Sequence, residues 1–536
     1  MAIPVAFVFD SLFLGIAGLA ITFIVRRTEW NKRSQGLPTP PGPRGWPIIG
    51  NLFTLPNEEQ PWTVYRDWSR TYGDMMSLNV LGSRMVIVSS SDIAIELLEK
   101  RSSIYSDRAP WTMDELTGWS WNLALMPYGS EWRSIRRILH RYFNQLATSK
   151  HRDKQTKEVH AFLRRVLEHK GTLDEVLIRQ TLATIILDIV YGMSLKSMDD
   201  PYIKLVTQSM DVLSKTKMLG AFWVDFIPFL KHLPPWAPGA FAIKYAAHWR
   251  PVVMQTVNKP FDEVLNGENQ EDSITLDLIT KLKSQGAIGT DAERHARYAS
   301  GIAYAAGSDT TLSLLETFFC MMAALPEVQK KAQHELDDIV GRERLPSYED
   351  RNSLPYIQAV ILECVRWLPV IPLGSPYRVT QDDHYGGYFL PEGTEIIPVS
   401  TCLTAHPKDC PEPERFNPDR FLKNGEINKN VRNPEMAFGF GRRICPGRHL
   451  ALETAFLVVS SVLHTFDVMP SVDDSGNALD PIPQATLGHI SYVTHLLFTN
   501  GGLTQYPWDV CRFPDRLNCM LQPRSDATTN LILATQ

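Results

Sequence analysis

Residues 438–447 read Phe-Gly-Phe-Gly-Arg-Arg-Ile-Cys-Pro-Gly, and Cys445 within them is placed for ligand chemistry. Pro446 suits the first position of a helix, and a helix-like run follows from Gly447 to His464. The N–H groups and dipole of such a helix start stabilise a thiolate at Cys445. Gly439, Gly441 and Gly447 leave room for a flat cofactor and for backbone N–H groups to reach the sulfur. Arg443 is available to pair with a carboxylate. A thiolate as axial ligand pushes electron density onto haem iron and favours O–O cleavage. A lone cysteine in a Gly-rich turn would read as an ordinary buried thiol. The pattern Phe-x-x-Gly-x-Arg-x-Cys-x-Gly, from Phe438 to Gly447, demands much more.

A second unusual stretch is Ala305-Ala306-Gly307-Ser308-Asp309-Thr310-Thr311. It lies mid-way along residues 291–325, a run without proline that Pro326 ends. That length makes a helix of about 52 Å, the width of a domain. Gly, Ser, Asp and Thr are poor helix formers, and a local preference that opposes its surroundings often marks a functional site. A plain helix kink in a core reads equally well from these residues alone.

Three further patterns stand in the chain: Trp132-Arg133-Ser134-Ile135-Arg136, Glu363-Cys364-Val365-Arg366, and Pro413-Glu414-Arg415-Phe416. Together with the cysteine segment and the 306–311 stretch, they resemble the ordered motifs of the cytochrome P450 family, over roughly residues 38–536. The resemblance implies a mainly α-helical α+β fold, with a long central I helix and small β-sheets. It implies haem b with Cys445 as the iron ligand, in a loop that includes Phe438, Gly441 and Gly447. Trp132, Arg136, Arg378 and Arg443 become partners of the haem propionates, since a cation beside each carboxylate offsets the cost of burying it. Glu363, Arg366 and Arg415 become a structural cluster behind the haem. Asp309 and Thr310 become the acid–alcohol pair that delivers protons during oxygen activation, with Gly307 leaving space for oxygen. Position 377 is Tyr where many relatives carry His, a departure that bears on Arg378.

These residues need a frame. The chain has 536 residues, a formal net charge of -5, 21% charged residues and 44% hydrophobic ones. That composition excludes wholesale disorder, a polytopic membrane protein and nucleic-acid binding by bulk charge. Seven cysteines are too few for a disulfide scaffold and suit a reducing compartment. Helical spacing is read at 92–100, 176–191 and 354–368, strands at 85–89 and 395–399, and a hairpin over 385–400. Nothing between residues 60 and 536 looks like an interdomain linker.

Residues 3–25 carry one charge, Asp10, and span about 34 Å as a helix, enough for a bilayer core. Arg26, Arg27, Lys32 and Arg33 follow, so the expected arrangement is a single-pass endoplasmic reticulum anchor with the body in the cytosol. The basic flank and Pro-rich hinge then occupy 26–50, the hinge being a stiff extended linker with five prolines in 38–47, and the monooxygenase domain 51–536. At the other end, about twenty residues between Pro483 and Pro514 exceed what relatives carry before a closing strand at 517–521. They are either an insertion near the pocket or a retained intron.

The resemblance also implies partners. The stretches 111–126, 218–230, 300–306 and 370–375 and the tip before the last strand would line the pocket. They are rich in Trp, Phe, Met, Leu and Ile, which suits an apolar small molecule of terpenoid or other natural-product type, as in fungal relatives. No flavin or nicotinamide module is present, so electrons come from NADPH through a separate cytochrome P450 reductase. Lys408, Arg415, Arg420, Arg442 and Arg448 are candidates for its docking face. The competing readings are a haem-thiolate isomerase or peroxygenase without reductase, and a non-catalytic haem-binding protein.

Overall fold

The computed structural model describes residues 21–22, 24–56, 61–169, 171–195, 199–217, 221–473, 475–481 and 517–535. Most of the apolar span 3–25 and all of the segment 484–513 lie outside them. Among the described residues no single helix is long and apolar enough to cross a membrane.

Six helices matter to the site. They are α1 (24–34), α2 (Ser130–Phe143), α3 (Glu175–Tyr191), α4 (Asp291–Ala324), α5 (Pro355–Trp367) and α6 (Arg448–Thr465). Their boundaries follow from capping. The Asp174 side chain accepts the Val176 N–H at 2.9 Å to start α3, and Gly192, at φ +70°, ends it. Thr290 accepts the Ala292 N–H at 3.2 Å to start α4, and Pro355 occupies the first turn of α5.

The poor helix formers of α4 are carried by tertiary packing. Every residue from Thr311 to Ala323 is buried, Leu312, Leu315, Phe318 and Phe319 among them. Each such side chain contributes about 1.5–3 kcal/mol on burial, more than the few tenths to about 1 kcal/mol that a poor helix former costs. The helix therefore runs unbroken through the largest apolar cluster, against α3, α5 and α6.

The strands are β1 (Met75–Val80), β2 (Ser83–Val88), β3 (Tyr377–Arg378), β4 (Asp383–Tyr385), β5 (Tyr388–Leu390), β6 (Glu395–Pro398), β7 (Leu422–Lys423), β8 (Glu426–Ile427), β9 (Phe466–Pro470) and β10 (Cys519–Pro523). One four-stranded sheet has the order β1-β2-β6-β3, with β2 and β6 parallel and the other pairs antiparallel. The expected hairpin over 385–400 is only half present. Gly386 and Gly387, at φ +59° and +81°, turn β4 into β5, but β6 leaves to pair with β2. The closing strand is β10, two residues later than expected, antiparallel to β9. The helix expected at 92–100 becomes α-helix over Ser91–Ile95 and a wider π turn over Glu96–Lys100.

The Pro-rich stretch is extended, as its composition requires, but it is pinned rather than free. Pro41 O accepts Ser77 N–H at 2.7 Å, Pro38 O accepts Phe389 N–H at 2.8 Å, and Pro43 O accepts from Asn51 Nδ2 at 2.9 Å. Before it, α1 docks on the β4–β5 hairpin. Trp30 meets Phe389 edge-on at 5.1 Å and lies under the Arg84 guanidinium at 4.1 Å. Arg33 forks onto Asp382 at 2.6 and 2.7 Å.

These contacts give a prediction. A chain lacking residues 1–34 is expected to be less stable than one lacking 1–20 by about 1–2 kcal/mol, the sum of one aromatic and one cation–π contact. Denaturant unfolding of the two truncations measures it, and equal midpoints would show that the docking contributes nothing.

Candidate active site

Cys445 sits at the end of a loop shaped by two glycines. Its N–H donates to Phe438 O at 2.9 Å. Gly439 and Gly441 adopt φ +89° and +52°, and a Cβ at Gly441 would lie 2.2 Å from Leu98 O in the π turn. Only glycine fits there. The helix α6 starts at Arg448, so the N–H groups of Gly447 and Arg448 reach the sulfur. Burial pushes the Cys445 thiol up, while those N–H groups and the nearby Arg136 and Arg448 guanidiniums pull it down. Of the described cysteines Cys445 alone is not fully buried.

Beside it lies positive charge with no carboxylate in direct contact among the described residues. Arg443 is 9% exposed and donates to three backbone carbonyls, Ser106 O at 2.7 Å, Leu123 O at 3.1 Å and Met126 O at 2.9 Å. Trp132 lies under it at 4.7 Å and donates its indole N–H to Leu123 O at 3.2 Å. Arg108, 8% exposed, donates to Ala124 O at 3.0 Å, Ser375 O at 3.1 Å and Pro376 O. Among the described residues neither guanidinium has a carboxylate within 4 Å. Burial pulls Arg443 down to about 9, helped by Arg108, and lowers Arg108 and Arg136 as well. Buried cations are normally paired. A flat cofactor with two carboxylates, such as haem, supplies the missing anions, so these residues fit it. Arg378, expected in this role, is 37% exposed and leans on Asp107 at 3.6 Å.

On α4, Ala306 is exposed although its neighbours Tyr304 and Ala305 are buried, so an open space lies over it. Gly307 does not provide that space. A Cβ there would meet Ile186 of α3 at 2.7 Å, so its smallness permits helix packing. Thr310 donates its hydroxyl to Ala306 O at 2.9 Å, which leaves the oxygen lone pairs as acceptors. Asp309 is bound by Arg179 of α3 at 2.6 Å, and Arg179 also holds Glu175 at 2.6 Å. Burial pushes the Asp309 carboxyl up, and Arg179 partly offsets it.

Behind the loop, Glu363 has no exposure. It accepts from Arg366 at 2.7 and 2.8 Å, from Asn417 N–H at 2.7 Å and from Arg420 at 3.2 Å. The Arg415 side chain, expected here, is 71% exposed and 3.8 Å from Glu412; only its carbonyl touches Arg366, at 3.4 Å. The chain carries the same pattern twice, Pro413-Glu414-Arg415-Phe416 and Pro418-Asp419-Arg420-Phe421. The second copy supplies the buried cation. Arg420 is consequently removed from the set of docking residues.

The profile of the family described as Cytochrome P450 matches residues 40–488. Cytochrome P450 monooxygenase COX2 of Coprinopsis cinerea is 38% identical over 522 residues, 96% of this chain and 94% of that one. Cytochrome P450 monooxygenase ple1 of Rhodocybe pseudopiperita is 39% identical, covering 82% of this chain and 85% of its own. Cytochrome P450 monooxygenase 208 of Postia placenta is 35% identical, covering 96% of each. The chain belongs to the cytochrome P450 family. It is therefore a haem enzyme, an oxidoreductase that incorporates oxygen.

In this cytochrome P450 the fold gathers Cys445, Phe438, Gly441, Gly447, Trp132, Arg136 and Arg443 around one loop, with Asp309 and Thr310 on α4. Arg108 and Arg179 are contributors that sequence reading missed, and Arg420 was read there only as a docking residue. Only Arg420 carried a signal, the repeated Pro-acid-Arg-Phe. Prediction follows from it. Arg420→Ala leaves Glu363 under-compensated and is expected to destabilise by about 3–5 kcal/mol and lower haem content. Arg415→Ala should change stability by about 0.5 kcal/mol or less. Thermal unfolding and haem content of the two variants test the assignment, and a reversed order would reject it.

Proposed function

We propose that the chain is an NADPH-dependent haem-thiolate monooxygenase that inserts one atom of O2 into a mostly apolar natural-product intermediate. The observation that carries this reading is the pair of buried guanidiniums, Arg108 and Arg443, with no carboxylate within 4 Å among the described residues, beside the half-buried Cys445. Haem b held there supplies the iron at which O2 is bound and reduced. Arg108, Arg136, Arg443 and Trp132 hold its carboxylates, with Arg378 at the rim. Cys445 ligates the iron, its thiolate stabilised by the Gly447 and Arg448 N–H groups. Thr310 offers an acceptor next to the open space over Ala306, and Asp309 relays protons toward that space. The apolar composition of the stretches 111–126 and 300–306 favours an apolar substrate.

Electrons come from a separate flavin-containing reductase. Arg133, Arg137 and Arg141 of α2 and Arg442 are exposed, and none has a carboxylate within 4 Å among the described residues. Such a face suits an acidic partner better than Lys408, which is engaged with Asp92 at 2.8 Å. On the same reading residues 1–25 anchor the chain in the endoplasmic reticulum membrane, 26–50 lead to the body, and the body of 51–536 faces the cytosol. The single charge within 3–25 and the four cations that follow it support this.

The test is turnover. The chain, combined with a reductase, NADPH and a panel of terpenoid and aromatic precursors, should yield products heavier by oxygen. Cys445→Ala should abolish both product and the thiolate-type Soret band of the reduced carbon-monoxide complex; a band that survives would reject the ligand. Thr310→Ala should keep haem and NADPH consumption but divert much of the flux to hydrogen peroxide. Asp309→Asn should slow turnover by about 10²–10⁴-fold, as expected for a positioned proton-transfer group. An unchanged product-to-NADPH ratio in Thr310→Ala together with an unchanged turnover rate in Asp309→Asn would reduce both to structural residues.

A further inference from the structure

Tyr377 opens β3, pairs with Ile396 of β6 and is 2% exposed. Its hydroxyl meets both backbone groups of Phe440. It accepts the Phe440 N–H at 3.0 Å and donates to Phe440 O at 3.4 Å. The two glycines that flank Phe440 make this approach feasible. A Cβ at Gly439 would already lie 3.3 Å from the phenol oxygen, and Gly441 presses against Leu98 O. Phe440 is five residues before Cys445 in the same loop. The Tyr377 ring, in turn, lies under the Arg108 guanidinium at 4.5 Å. The carbonyls of Ser375 and Pro376, immediately before Tyr377, accept from that same guanidinium. One short segment thus grips the cysteine loop by its backbone and a buried cation by a ring and two carbonyls.

We propose that Tyr377 is a positioning residue for the haem-thiolate, acting through Phe440 on the cysteine loop and through its ring on Arg108. It sets the spacing between the sulfur and one carboxylate-binding cation. The inference rests on Cys445 being the iron ligand. Tyr377→Phe fills the same volume and keeps the ring under Arg108, but leaves the buried Phe440 N–H without its acceptor.

Three measurements on the full haem-loaded chain test this. They are the lifetime of the thiolate-type band in the reduced carbon-monoxide complex, the haem reduction potential, and amide hydrogen exchange at Phe440. In Tyr377→Phe the band should form and then decay about fivefold faster, the potential should shift, and Phe440 should exchange about fivefold faster, the scale of one net hydrogen bond. The melting temperature should change little. A merely structural tyrosine would lower haem content and melting temperature together and leave band lifetime and potential untouched, and that result would overturn the proposal. If Tyr377→Phe takes up no haem, exchange at Phe440 is compared between the haem-free forms of the two chains, and equal rates would overturn the proposal. If the unmodified chain shows no thiolate band, the assignment of Cys445 fails instead, and unaltered exchange at Phe440 in the variant would separately overturn the clamp.

Discussion

Positive charge with no carboxylate in direct contact among the described residues is the constraint around which this site is built. Arg108 and Arg443 are held in the interior by six backbone carbonyls, those of Ser106, Leu123, Ala124, Met126, Ser375 and Pro376. Those carbonyls turn inward from the 106–126 stretch and from the approach to β3, the two walls next to the cysteine loop. Without the guanidiniums all but Leu123 O, which keeps the Trp132 indole N–H, would be buried acceptors lacking a donor, at about 1–3 kcal/mol apiece. The cations therefore shape the walls, and the walls fix where the cations point. Carbonyl dipoles compensate a charge only partly, which is why burial still lowers both guanidiniums. The remainder is the affinity of the site for anionic groups.

Glu363 obeys the same rule with the opposite sign. A carboxylate with no exposure takes two guanidiniums and a backbone N–H. The choice of Arg420 over Arg415 follows from the backbone. Asn417 donates its N–H to Glu363 and caps the turn Pro418–Phe421 with its side chain, so the turn starts on the carboxylate and directs Arg420 back to it. Pro413 and Arg415 instead offer carbonyls to Arg366, an arrangement that leaves the Arg415 side chain in solvent. The cluster ties α5 to the segment that leads into the cysteine loop.

Much of this was legible in the residues. The long helix α4, the helix after Cys445, the strands at 85–89 and 395–399 and the loop itself follow from periodicity, proline and glycine. Burial decides what propensity leaves open, and α4 passes its weak centre because Leu312 to Ala323 pack on all sides. Long-range pairing was not legible. Nothing in the stretch 385–400 says that β6 joins β2, more than three hundred residues away in sequence, because hairpin signals are local and parallel pairing is not. Arg108 and Arg179 were invisible for a related reason: a single arginine in a loop or on a helix has no pattern, and its meaning lies in what the fold brings to it. Gly307 shows the converse. Its type was informative, but the neighbour it accommodates, Ile186, lies on another helix.

The position of Asp309 connects these points to the chemistry. The ion pair with Arg179 runs from Glu175, whose side chain is 47% exposed, to Asp309, at 16%, so a line of charged groups leads from solvent to the weak centre of α4. A guanidinium cannot serve as a link in a proton chain, because it has donors only and does not deprotonate in proteins. Arg179 therefore orients Asp309 and biases its charge rather than passing protons to it. Burial raises the carboxyl and Arg179 opposes the rise, with burial the larger of the two. The proton affinity of Asp309 thus depends on how firmly one guanidinium is shared between two carboxylates, and that sharing is set by the packing of α3 against α4. The close approach that Gly307 permits at Ile186 belongs to the same packing. The small residue and the acid in this motif have one structural cause: the two helices must come close enough for Arg179 to reach across.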